Sequence, residues 1–170
     1  MLAHIIDHSL RVAEVATCLG RHLSLAGQTL DLALIEAASL LHDIAKIESL
    51  QSRADHALAG EETVVSLGYP QILGQVIRHH VRLPEPPLEC PAECEIVNYS
   101  DKRVNGNLIV SLRERFDYIR GRYGRTEEII LRISELEERT RQLERKLFAR
   151  LPFTPEELEA TLTRHLTEMP

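Results

Sequence analysis

Three stretches of this chain set ionisable side chains among apolar ones at helical spacing. They are His8 in IIDHSLRVA, the doublet His42-Asp43 in LLHDIAK, and Asp101 in NYSDKRVNG. Residues separated by three, four or seven positions share one side of a helix. His8 lines up with Val12, Val15 and Leu19, His42 with Ile35 and Ala38, and Asp101 with Val97 and Val104. Asp43 lies about 100° round the helix from His42 and should border the same interior. A carboxylate buried without a partner costs several kcal/mol, relieved by a cation, a hydrogen-bond network or a metal. Histidine nitrogen with carboxylate oxygen suits Mn, Fe, Co, Ni or Zn, and a helical bundle can supply such ligands from different helices. A divalent ion acidifies bound water and neutralises a phosphoryl oxygen, and two ions sharing one carboxylate engage nucleophile and substrate together; Asp43 is the natural bridge. Taken singly, each histidine reads as an ordinary core or surface residue; taken with two inward aspartates, that reading is strained. His4, His22 and His165 have no carboxylate companion and keep it.

The elements that would position these groups read as helices throughout. The chain has 170 residues, only 4% aromatic, with no tryptophan and abundant Leu, Ala, Glu and Arg, which points to one all-α core. Helices are expected over Ala3 to Leu23, Leu30 to Ala45, from Asp55 to the LGYP turn, from Pro70 to about Val81, Ala92 to Val104, Asn107 to Tyr123 and Thr126 to Leu151. A short last helix follows the cap Thr154-Pro155-Glu156-Glu157. The proline-rich RLPEPPLECP reads as an extended loop and Asn105-Gly106 as a turn. On the long helix, Ile129, Ile133, Leu136, Leu143 and Leu147 form a four-and-three stripe interrupted by Thr140. It reads either as a homodimer seam through residues 126–151 or as a face that packs on its own domain.

A net charge of −6 without a basic block argues against bulk nucleic-acid binding. No apolar run reaches the ~18 residues of a membrane span, and the expected location is cytoplasmic. Cys18, Cys90 and Cys94 read as reduced thiols, since CPAEC supplies at most half a zinc site. No glycine-rich phosphate loop, G-x-S-x-G or Cys-His signature competes with the metal reading.

These residues resemble the HD superfamily of metal-dependent phosphohydrolases over roughly Ala3 to Tyr123. His8-Ser9-Leu10-Arg11-Val12-Ala13 matches the family's H-S-x-R-V-A, and LLHDIAK is close to the HDIG variant with Ala45 in place of glycine. Asp101 matches the distant aspartate in order and spacing. The resemblance implies an HD-domain helical bundle over residues 1–124, with a C-terminal helical extension over 125–170 packed on that domain or on a second subunit. It implies His8, His42, Asp43 and Asp101 as ligands. Further histidines hold a second metal in many members, one in H-x-x-x-G and one in a histidine pair; His56-Ala57-Leu58-Ala59-Gly60 and His79-His80 occupy those places. Periodicity does not choose within the pair, because His79 aligns with Ile72 and Val76 and His80 with Leu73 and Ile77; His79 is the preferred member. LGYP, D-K-x-V and S-L-x-x-R-F are similar to a looser subgroup, some of whose members are fused to nucleotidyltransferases.

The implied cofactor is one or two divalent ions, among Mn, Fe, Co, Ni, Zn and Mg. The implied activity is hydrolysis of a phosphate ester, mono- or di-, of a nucleotide or small phosphorylated metabolite, with Asp43 and Lys46 catalytic. Lys46, Lys102, Arg103 and Arg11 are candidate phosphate cations, each with the alternative of a solvated charge. The competing class is a nucleotide-sensing or regulatory HD module that binds metal and ligand without efficient turnover.

Overall fold

Helix ends are written into the sequence as caps, and the caps decide where the site residues emerge. The computed structural model describes residues 2–52, 54–84 and 92–167. Helix α1 spans Ala3–Leu25 and stops where Gly27 takes φ +90°, a left-handed conformation that favours glycine. Asp31 then caps α2, Leu32–Leu41, its carboxylate accepting from the Leu34 N–H at 2.9 Å. The chain leaves α2 in turns through His42, Asp43, Ile44 and Ala45 before α3, Lys46–Ser52. The expected helix to Ala45 therefore ends earlier, and the doublet lies in the bend between two helices.

Asp55 caps α4, His56–Ser66, and α5 runs Gln71–Arg78, so His79 and His80 lie just beyond its end. Helix α6 spans Ala92–Lys102. Val104 is not helical but starts a small antiparallel ribbon, β1 Val104–Asn105 paired with β2 Leu108–Ile109, turning at Gly106 with φ +63°. This ribbon shortens the expected helix from Asn107. Instead Ser111 opens α7, Leu112–Tyr123, through a capping box with Glu114. Helix α8 is Glu127–Phe148, and α9, Leu158–Thr167, follows a 3-10 turn at Pro155–Glu157.

Helix α1 lies against α2 and α6, α2 against α5 and α6, and α4 against α5. Val12, Val15, Leu19 and Leu23 of α1 meet Ile35 and Ala38 of α2, Val76 and Ile77 of α5, and Ile96, Val97 and Tyr99 of α6 in one core. Each such side chain contributes roughly 1.5–3 kcal/mol when fully buried. The fold is all-α apart from the ribbon. Of the two readings of the long stripe, packing within the chain is seen: Ile133, Thr140, Leu143 and Leu147 are buried, α8 lies against α6 and α7, and Ile129 in its first turn stays exposed. No helix among the described residues is long and apolar enough to cross a membrane. Cys18 is a buried free thiol and Cys94 is buried, while Cys90, and with it the CPAEC half-site, lies outside the described residues.

Candidate metal centre

Five elements deliver one side chain or two each to a single buried cluster: His8 from α1, His42 and Asp43 from the α2–α3 bend, His56 from the start of α4, His80 from the end of α5, and Asp101 from α6. Two groups of ligand atoms each lie within 4.8 Å of one another, His8 with His42 and Asp43, and Asp43 with His56 and His80. Asp43 belongs to both. Its Oδ1 is 3.7 Å from the Nε2 atoms of both His56 and His80, and its Oδ2 is 3.5 Å from His42 Nε2. Asp101 Oδ1 stands 3.1 Å from His8 Nε2 and 3.7 Å from His42 Nε2.

The histidines are oriented from behind. Backbone carbonyls accept from Nδ1 in three of them: Gly106 from His8 at 3.0 Å, Ser39 from His42 at 2.7 Å and Ile77 from His80 at 2.6 Å. A carbonyl cannot donate, so each of these Nδ1 atoms carries a proton and each ring turns its Nε2 to the centre. There the Nε2 atoms face carboxylate oxygens, and those of His56 and His80 stand 3.2 Å apart. His42 Nε2 and Asp43 Oδ1 are buried without any hydrogen-bond partner, an unmet polar demand at the middle of the cluster. The donor set fits divalent ions, and His8, His42, Asp43 and Asp101 on one side with Asp43, His56 and His80 on the other could hold them.

Burial disfavours charge on His42, yet the Asp43 and Asp101 carboxylates outweigh it and raise its proton affinity. Burial dominates at His80, whose pKa falls to about 3, and it also lowers that of His56. Burial alone would raise the pKa values of Asp43 and Asp101, but His42 and Lys46 around the first, and Lys102 and His8 around the second, hold both carboxyls well below the usual range.

The preference for His79 is corrected: its ring belongs to neither ligand group and does not line the cleft. Helix α5 ends at Arg78, and just past it His80 donates Nδ1 to the Ile77 carbonyl at 2.6 Å, which holds the second imidazole inward. Asn98 of α6 locks the pair by donating to the carbonyls of His79 and His80 at 2.9 and 3.0 Å. Gly60 of the H-x-x-x-G segment has a packing reason, since a Cβ there would meet Ile77 Cγ2 at 2.9 Å.

Among the candidate cations, Lys46 Nζ lies 2.5 Å from Asp43 Oδ2 and Lys102 Nζ lies 2.7 Å from Asp101 Oδ2. Lys102 also donates to the His80 carbonyl at 3.0 Å. Both line the cleft, whereas Arg103 and Arg11 do not. Arg103 is buried and spends its donors on Val110 O, Tyr99 Oη and Pro155 O, while Arg11 binds Asn107 O and Glu14. Both are bracing residues, which corrects their assignment to phosphate.

The cluster opens into a cleft of about 450 Å³, within the usual size of small-molecule sites. Its outer wall includes residues that the motif reading missed: His4 of α1, Leu50 of α3, and Arg115, Tyr118, Ile119 and Tyr123 of α7. A signal for Arg115 was present. It sits between Leu112 and Phe116, both buried, and one turn from Ile119, the same test of an ionisable group on an inward stripe that isolates His8.

The family model described as HD domain matches residues 5–106. A protein of Methanocaldococcus jannaschii, itself described as uncharacterized, is 26% identical over 143 residues, covering 76% of this chain and 83% of the relative. No solved structure matches the chain. The matched span holds all six residues of the buried cluster, and the chain belongs to the HD domain family of metal-dependent phosphohydrolases.

Proposed function

We propose that the protein hydrolyses a phosphate ester of a nucleotide or related small phosphorylated metabolite in a metal-dependent reaction. The observation that carries this reading is the pair of histidine-carboxylate groups sharing Asp43 at the floor of an open cleft. Divalent ions held there would supply Lewis acidity towards a phosphoryl oxygen and an acidified water. The rest falls to the chain. His8, His42 and Asp101 on one side and His56 and His80 on the other fix the spacing across Asp43, and the Nδ1 bonds of His8, His42 and His80 to backbone keep those three rings from turning. Lys46 is the catalytic cation at the rim. Its side chain is 38% exposed although its Nζ touches Asp43, so the ammonium can reach from the shared carboxylate to a phosphoryl oxygen as charge develops there. Lys102, wholly engaged with Asp101 and the His80 carbonyl, sets Asp101 in place instead. The buried free thiol of Cys18 fits a reducing compartment, the cytoplasm.

The test is phosphate release from nucleotides and phosphodiesters by protein reconstituted with Mn, Co, Ni or Zn. Turnover that is lost on chelation and in Asp43→Ala supports the reading. Metal and nucleotide binding by wild type with no release from any ester would reject it in favour of a sensing module.

A further inference from the structure

Of the three fixed cations among the described residues that line the cleft, Arg115 is held least tightly by a carboxylate: Lys46 and Lys102 stand 2.5 and 2.7 Å from Asp43 and Asp101, whereas Arg115 Nη2 is 3.9 Å from Asp101 Oδ1. Its Nη1 donates to Asn105 Oδ1 at 3.2 Å, and its guanidinium carbon stands 5.9 Å from the centre of the Tyr118 ring. These contacts fix the plane of the group from one side. On the opposite edge Nε and Nη2 point the same way, the fork that matches two oxygens of a phosphate. Nε is without a hydrogen-bond partner, and Nη2 makes only a long ion pair, at 3.9 Å, with Asp101 Oδ1. An unmet donor costs roughly 1–3 kcal/mol, recovered when an acceptor arrives.

Two residues further along the same wall point to what the phosphate is attached to. Tyr118 and Tyr123 line the cleft yet stay 48% and 57% exposed. Flat rings at the mouth of a phosphate site stack bases with little regard to their identity. Ile119 and Leu50 extend the apolar lining between them.

We infer that Arg115 grips the substrate phosphate through its Nε/Nη2 edge and that Tyr118 and Tyr123 receive a nucleobase, which makes a mononucleotide the substrate class. The inference rests on the phosphohydrolase reading for its reaction but not for its binding, so the two are tested apart. Titration calorimetry on the metal-loaded full chain uses inorganic phosphate and a nucleoside phosphonate that cannot be hydrolysed, with metal content and circular dichroism measured on every variant. Arg115→Met should weaken inorganic phosphate by about tenfold or more at unchanged metal content, and Arg115→Lys should fall between the two because it restores charge without the fork. Tyr123→Ala should leave phosphate affinity alone and weaken the phosphonate by about tenfold. Phosphate bound equally by wild type and the folded Arg115 variants, or a loss of metal that accounts for the weaker binding, overturns the role of Arg115. A phosphonate no tighter than phosphate, or unaffected by Tyr123→Ala, overturns the base assignment. If Arg115→Met does not fold, Arg115→Lys decides, since phosphate affinity equal to wild type there contradicts a fork contact. Wild type that binds both probes but cleaves no ester removes the hydrolytic reading and leaves this site standing.

Discussion

At the scale of single residues, the two inward histidines that follow helix ends use the same local device. His42 and His80 each donate Nδ1 to the carbonyl three residues earlier, Ser39 and Ile77, so their orientation is set within one turn of chain. His8 reaches the same state through Gly106, 98 residues away, and depends on the ribbon for it. This distinction gives a prediction for the histidine pair. His80→Ala should cut bound metal to about half of the wild-type content, because one ligand group loses a member while His8, His42, Asp43 and Asp101 keep theirs. His79→Ala should leave the content unchanged. Elemental analysis of both variants checks it, and a loss confined to His79→Ala would reverse the assignment.

At the scale of elements, the sequence made the helices legible where apolar periodicity and caps coincide, as at Asp31, Asp55 and Thr126. It was silent at three helix exits that shape the site. The bend at His42-Asp43, the exit at His79 and the ribbon at Val104 are set by packing between helices, and a 3.6-residue repeat carries no information about them. That is why the inward faces of His8, His42 and Asp101 could be read while the choice between His79 and His80 could not. Arg103 was misread for a related reason: adjacency to Asp101 in sequence suggested the cleft, but one more residue past the end of α6 turns the side chain to the opposite side. There it joins Tyr99, Glu144 of α8 and the carbonyl of Pro155, tying the element that carries Asp101 to the C-terminal helices. Arg103→Met should therefore lower unfolding free energy by about 3 kcal/mol, the usual result of stranding one member of a buried charge network. Denaturant unfolding of the metal-free protein measures this directly, and stability equal to wild type would show that the brace is not needed.

At the scale of the whole molecule, a chain of net charge −6 gathers Lys46, Lys102 and Arg115 around its cleft, so the acidic surface does not extend into the place where a phosphate would enter. The helical bundle supplies rigidity, and its core brings the cluster residues together although His8 and Asp101 are 93 positions apart. We propose that this assembled cluster takes two divalent ions, with Asp43 common to both ligand groups. Equilibrium binding of Mn to wild type and to His56→Ala, followed by elemental analysis, tests it most directly. About two ions are expected per wild-type chain and about one in the variant, with Asp43→Ala retaining neither. A wild-type ratio near one that His56→Ala leaves unchanged would contradict it.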